Sequence, residues 1–299
     1  MIFVLSCRST GLQAAESGFG NYLLGSKGIA AGIVAPPGVY IVSQHVSYNG
    51  DYLGPIAGSG SQDVRVNVDL AFEQISPVWI TPIEIAGGNL GFGVTVPVGF
   101  VGVRLDTPAR HISDERMTIG DPLFSAFVGW HQARLHWNLG ITAVAPVGDY
   151  DANRLANLSL NRPSLDVFDG VTWSLPQLNL EMSGALGVTF NGENSVTHYR
   201  SGTELHGEWA ISTAITPQFA IGLTGYHYEQ LTDDTGPNVV PGGFRGRVSA
   251  VGLAANYRGT LGDTAFVLRA QAIEEFNTKN RFQATPIFVN LVIGSFAGP

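Results

Sequence analysis

The residues best suited to chemistry are few and poorly grouped. Asp149-Tyr150-Asp151-Ala152-Asn153 opens with the D-x-D-x-N spacing of a calcium loop, but Arg154 stands in place of the turn glycine and Leu160 in place of the bidentate glutamate. A loop held by Asx turns accounts for the same residues. Asp233-Asp234, just before Thr235-Gly236, reads as a turn cap before it reads as a divalent-ion site. His131, His136, His198, His206 and His227 show no H-E-x-x-H spacing, and no G-x-S-x-G elbow occurs. The sequence points to no catalytic residues, no metal and no cofactor. What it offers is a set of charged residues recurring at every second or fourth position, as in Arg65, Asp69 and Glu73.

That spacing belongs to strands. Val64, Val66, Val68, Leu70 and Phe72 alternate with Asp63, Arg65, Asn67, Asp69 and Glu73, a strict period of two. The same alternation runs through Leu90 to Phe100, Leu135 to Ala143, Leu178 to Phe190, Leu205 to Ser212 and Phe219 to Tyr226. Weaker versions occupy residues 39–48, 78–85, 123–130, 167–174, 245–257, 263–275 and 281–294. Several of these thirteen candidates exceed the usual five or six residues of a soluble strand and match the roughly 9–11 residues of a membrane crossing.

Composition agrees. Lys and Arg total 16 and Asp and Glu 24 in 299 residues, with 44% hydrophobic residues, which leaves charge too sparse for an ordinary soluble surface. The stretches that lack charge contain Pro36-Pro37-Gly38, Pro97 or Pro217, so they cannot cross a membrane as helices. A closed barrel is the remaining way to pair every backbone group in lipid. The expected fold is all-β: a transmembrane up-and-down antiparallel β-barrel of about 12 strands (12–14). Barrel strands come in even number, so one candidate should not be a wall strand, with 78–85 and 167–174 the suspects. Tyr40, Tyr48, Trp79, Trp130, Trp209 and Tyr257 stand near segment ends, where aromatic girdles form.

An Arg facing lipid at the midplane costs roughly 2–4 kcal/mol, so the charged faces are expected to turn inward. That assigns Arg65, Asp69, Glu73, Arg134, His136, Glu181, His206 and Glu208 to the lumen, as a constriction setting selectivity or as an ion-pair network bracing the wall. Residues 1–15 read as the remnant of a signal peptide whose start lies upstream, with cleavage near Ala14 or Ala15. Residues 16–38 form an arm in or near the lumen, and residues 39–296 a single transmembrane barrel. Long external loops are expected near 107–121, 147–166 and 231–243.

A set of ordered motifs adds a resemblance. These are Pro36-Pro37-Gly38-Val39-Tyr40, Gly87-Gly88-Asn89-Leu90-Gly91-Phe92-Gly93 with Pro97, Pro146-Val147-Gly148-Asp149-Tyr150-Asp151, Asn191-Gly192-Glu193-Asn194 with Thr197 and Tyr199, and the run from Gly225 to Gly236. Together they resemble the outer-membrane channel family named for the phenol meta-cleavage (MetA) pathway. The resemblance implies a twelve-stranded barrel with a narrow channel for small, often hydrophobic or aromatic molecules, and brings no catalytic residues. One departure is that Phe296 is followed by Ala297-Gly298-Pro299, whereas such barrels usually end on the aromatic. The expected function is passive uptake of hydrophobic or aromatic compounds through a bacterial outer membrane, with small-molecule solutes and membrane lipid as partners. The alternative is a non-transport barrel, either a lipid-modifying enzyme or a surface-interaction protein. A net charge of −8 with only two lysines, Lys27 and Lys279, argues against nucleic acid.

Overall fold

The computed structural model describes residues 18–55, 63–107, 111–237, 239, 244–262 and 264–294. The signal segment expected over 1–15 and the C-terminal Phe296 lie outside them. The strands, in chain order, are β1 (Gly38–Pro55), β2 (Asp63–Ile85), β3 (Gly88–Asp106), β4 (His111–Ile119), β5 (Leu123–Gln132), β6 (Leu135–Val144), β7 (Ser164–Leu175), β8 (Leu180–Asn191), β9 (Glu204–Ala214), β10 (Phe219–Gln230), β11 (Arg247–Leu261), β12 (Thr264–Lys279), β13 (Gln283–Ala284) and β14 (Ile287–Gly294).

Twelve of these form a closed antiparallel wall. Neighbours in sequence pair from β5 to β12, and β12 pairs β14. β3 pairs β2 on one side and β5 on the other. β1 closes the ring by pairing both β2, from Gly38↔Ile80 to Pro55↔Asp63, and β14, from Tyr40↔Gly294 to Ser47↔Ile287. No edge is left in the wall, which is what lipid demands of a spanning sheet. The two extra strands extend it. β4 lies beyond β5 on the same flank of β3, pairing Val98 to Asp106, and β13 adds two residues beside β1.

Three details differ from the sequence reading. Residues 78–85 are not a separate strand but the second half of β2, a strand of 23 residues. Residues 167–174 lie inside β7, a full wall strand paired on both flanks. Residues 107–121, read as a loop, contain β4. The connections still alternate in length. Ala86-Gly87, with φ of 51° and 79°, makes a two-residue hairpin at one end, as primed turns do. The opposite end carries the long connections, such as 145–163 and 192–203.

Every wall strand shows at least one large apolar side chain to the outside: Ile41, Trp79, Val94, Phe124, Leu139, Val171, Leu186, Ile211, Leu223, Leu253, Leu268 and Ile293 are all exposed. In water such a continuous band would be a liability; in lipid it is the apolar belt of an outer-membrane barrel. Trp79, Trp209 and Tyr257 sit on this outer face, whereas Tyr40 and Tyr48 turn inward, Tyr40 onto the Pro36 carbonyl (2.8 Å) and Tyr48 onto Glu275 (3.0 Å).

Candidate functional site

The apolar alternation of β2 changes sides midway. Ile75, Trp79, Ile83 and Ile85 are exposed on the outer face, but Val64, Val66, Val68, Leu70 and Phe72 are buried on the inner one. The reason is length. A crossing needs roughly 9–11 residues, and β2 has 23. The half towards the long loops stands clear of lipid, with water outside it and the barrel interior within. Paired residues of adjacent strands share a face, so Val46 and Tyr48 of β1 and Val101 and Val103 of β3 join the same inner surface. Ile273 of β12, Phe288 of β14 and Phe282 complete it.

Val68, Leu70 and Phe72, with Val46, Tyr48, Val101, Val103, Phe282 and Phe288, line a cavity of about 370 Å³ on the long-loop side of the barrel. Its wall is mostly apolar. One polar group stands out: the Glu275 carboxylate accepts hydrogen bonds from Tyr48 Oη (3.0 Å), Tyr226 Oη (2.6 Å) and the Ala284 amide (2.8 Å). The roof comes from loop 145–163, whose Leu155 and Leu158 pack on the apolar cluster. Asp114 of β4 fixes that loop, accepting from Arg154 Nε (3.1 Å) and Nη2 and from the Leu155 (2.9 Å) and Ala156 (3.0 Å) amides. Burial pushes the Asp114 carboxyl up, but the Arg154 and amide bonds outweigh it and hold its pKa below the ordinary value.

The floor is the chain ahead of β1. Residues 18–37 run inside the barrel, and the wall holds them by hydrogen bonds rather than by packing alone. Glu208 of β9 is the centre: it accepts from Tyr22 Oη (2.7 Å), the Gly25 amide (3.1 Å) and the Lys27 amide (2.8 Å). The Tyr22 ring stacks on His206, centroids 3.5 Å apart, and His206 Nε2 meets Asp166 Oδ1 at 2.8 Å. Further along, Ser183 Oγ accepts from the Ala30 amide (3.0 Å), Thr172 Oγ1 from the Gly32 amide (2.9 Å), and Asn138 donates to the Ala31 carbonyl (2.8 Å). Small residues make this fit. Gly25 has φ +85° and a Cβ there would lie 2.8 Å from Phe288, while one on Gly32 would lie 2.4 Å from the Thr172 nitrogen.

The sequence-predicted lumen residues divide accordingly. His206 and Glu208 are buried on the inner face and hold the arm. His136 and Glu181 share the inner parity of β6 and β8 near the short turns, with His136 Nδ1 2.7 Å from His131 Nδ1. Arg134 lies in the β5–β6 turn and donates to Gln177 (2.9 Å), outside the lumen. Arg65, Asp69 and Glu73 correct the expectation: they face outward on the part of β2 that clears the membrane, where water solvates them. Glu73 there meets His45 Nδ1 (3.0 Å) and accepts from Ser43 Oγ (3.0 Å). The rule that charge avoids lipid holds, but the outside of a protruding strand is not lipid.

Two motif residues settle into loop anchoring. Asp151 Oδ1 accepts from the Asn153 amide (2.8 Å), an Asx turn, and buried Asp234 accepts from Tyr199 Oη, the Gly202 amide (2.8 Å) and Gln230 Nε2 (2.6 Å). Tyr22, Asp166, Glu275 and Arg281 had no signal as site residues. Glu275 alternates within its strand next to Glu274, which points the other way and accepts from Thr285, so only the paired geometry separates them.

The fold is similar to an outer membrane channel from Pseudomonas putida F1, at 13% identity and a TM-score of 0.68, covering 89% of this chain and 98% of that one. A Pseudomonas aeruginosa FadL homologue (10% identity, TM-score 0.40, 87% and 89% covered) and the β domain of the Bordetella autotransporter BrkA (10%, 0.48, 87% and 100%) match too loosely to be argued from. No curated protein matches the chain in sequence. The family model described as "Putative MetA-pathway of phenol degradation" matches residues 49–291, which takes in nearly the whole wall and the chamber, and the chain belongs to that family.

Proposed function

We propose that the protein is an outer-membrane conduit for the passive uptake of small hydrophobic molecules, including aromatic ones. One observation carries this reading: where β1–β3 rise clear of the lipid, the wall is charged outside and apolar inside. A structural brace in water would gain nothing from a greasy hollow of about 370 Å³, whereas a solute leaving water for it gains roughly 25 cal/mol per Å² of apolar surface buried. The volume lies at the lower end of the range for small-molecule sites, roughly 300–1,000 Å³. The arm floors the chamber, so passage requires the arm to shift. The family's link to phenol degradation is consistent with such cargo.

The test is entry of naphthalene into Gram-negative cells carrying the protein at matched surface levels. Leu70→Asp, inside the chamber, is expected to slow entry about tenfold, the loss from placing an uncompensated charge against an apolar solute. Asp69→Leu, one residue away on the outer face, should leave it unchanged. Equal rates for both variants and the wild type would overturn the proposal.

A further inference from the structure

The chamber is not uniformly apolar, and an unfilled donor at its edge shows what kind of head a solute should carry. Arg281 lines the cavity. Its guanidinium lies over the Tyr228 ring, Cζ 4.1 Å from the centroid, and its stem packs against Gly246, where a Cβ would sit 3.1 Å from Cγ. The plane is thus fixed on one face by the aromatic ring, which leaves the N–H edges to be satisfied. Arg281 itself is half-buried, and its Nη1 lies just beneath the cavity surface with no hydrogen-bond partner among the described residues, so a small turn of the guanidinium presents it to the chamber. A buried donor left unmade costs about 1–3 kcal/mol, more when charged, so the site is primed for an acceptor.

The acceptor's charge follows from the neighbours. Glu275, a carboxylate on the chamber, already accepts from Tyr48, Tyr226 and the Ala284 amide, and turning to Arg281 would strain those bonds. Behind it, buried Glu204 stands 3.9 Å from Arg162 and accepts from Asn191 (3.0 Å). Two guanidinium groups are therefore already matched by two carboxylates around this end of the cavity. An anionic head would add an uncompensated buried charge beside Glu275, whereas a neutral oxygen would take the free N–H without disturbing the balance.

We propose that Arg281 is the polar anchor of the chamber, selecting apolar solutes that carry one neutral oxygen acceptor, such as a carbonyl, ester or hydroxyl, over both bare hydrocarbons and carboxylates. This rests on the conduit reading and names its preferred cargo. A body the size of one aromatic ring would lie against Val68, Leu70, Phe72, Val101 and Phe288, with its oxygen towards Arg281.

The test compares three probes of similar size, acetophenone, toluene and benzoate, by calorimetric titration of the detergent-solubilised barrel, wild type against Arg281→Met. Methionine keeps much of the stem's packing and removes the donors. The ratio of toluene to acetophenone dissociation constants is expected to fall about tenfold in the variant, the worth of one hydrogen bond to a charged group, with toluene binding unchanged and benzoate the weakest wild-type ligand. An unchanged ratio, or equal weakening of toluene and acetophenone, would make Arg281 a structural residue and overturn the proposal. Benzoate binding best would overturn the neutral-head assignment. Toluene binding with no shift in the ratio sinks this inference alone; no binding by any probe sinks the conduit reading with it.

Discussion

The two halves of the barrel interior are held by different forces. Towards the long loops, Val68, Leu70, Phe72, Val101 and Phe288 enclose a hollow by shape and hydrophobicity, with few hydrogen bonds directed into it. Towards the short turns, residues 18–37 occupy the lumen, and Glu208, Ser183, Thr172 and Asn138 each hold a specific backbone or hydroxyl group of that arm. Apolar contact is non-directional and lets a guest slide; hydrogen bonds are directional and must be broken one by one. A conduit needs both, a hollow that accepts many shapes and a floor with a defined closed state. The contrast can be broken from either side.

The largest effect is expected from removing the floor. Deleting residues 20–33 while keeping the wall should turn an electrically quiet barrel into one with discrete openings in planar bilayers. Heat-modifiable mobility on gels would report that the barrel still folds. Filling the upper chamber by Val68→Trp should leave ionic currents as they are in the intact protein, because the arm already blocks ions. Currents equally large before and after the deletion would mean the arm does not close the lumen.

A smaller change separates the latch from the wall. Glu208→Ala removes one carboxylate and strands three donors, Tyr22 Oη and the amides of Gly25 and Lys27. At about 1 kcal/mol for each bond, arm opening becomes easier by about 3 kcal/mol, and amide exchange over residues 22–32 faster by about a hundredfold. Exchange in the wall strands should not follow. Uniform acceleration would show the arm and wall to be a single cooperative unit.

The outer face offers a third contrast, between lipid and water along neighbouring strands. Val94→Arg, in the belt of β3, is expected to destabilise the barrel in vesicles by about 2–4 kcal/mol on urea unfolding. Ala71→Arg, also outward but on the protruding half of β2, should stay within about 0.5 kcal/mol of the wild type. Similar costs at both sites would place the membrane higher on the barrel than the change of face in β2 implies.

That change of face was visible in the sequence, though it takes the structure to give it meaning. Large apolar residues keep to even numbers up to Phe72, and from Ile75 the odd positions Ile75, Trp79, Ile83 and Ile85 turn apolar as well, beside Val78 and Ile80 on the even ones, with no turn between. Alternation alone identifies a strand and its two faces but not which medium each face meets. The barrel class followed from period, length and missing helices, because those are local properties. Arg65, Asp69 and Glu73 escape the inward rule because that rule holds only within a crossing, and β2, at 23 residues, is more than twice as long as the roughly 9–11 a crossing needs. His206 and Glu208 could be placed inward from their parity alone. Their partner Tyr22 lies 186 residues from Glu208 in the chain, and no spacing records such a contact. β4 was hidden because Asp114, Glu115 and Arg116 look like loop residues, yet its pairing with β3 needs no apolar face.

The weakest hold, on the roof, should yield to acid. Asp114 binds loop 145–163 through Arg154 and two amides, and its pKa is held below the ordinary carboxylate value. A group whose folded pKa is depressed contributes above its unfolded pKa, and that contribution is lost as pH falls through the folded one. Loop protection should therefore be flat from neutral pH down to about pH 4, the ordinary aspartate range, and decline only below it. Arg154 is more than a third exposed, so solvent screens the pair and the change is expected to be modest. Hydrogen exchange at Leu155 and Ala156 is the direct readout, since both amides donate to Asp114. Asp114→Asn should lose the protection at every pH while the arm amides stay protected. A decline already under way at pH 6 would assign the roof's acid sensitivity to another group. If it took the arm with it, roof and floor would be coupled through the chamber rather than held separately.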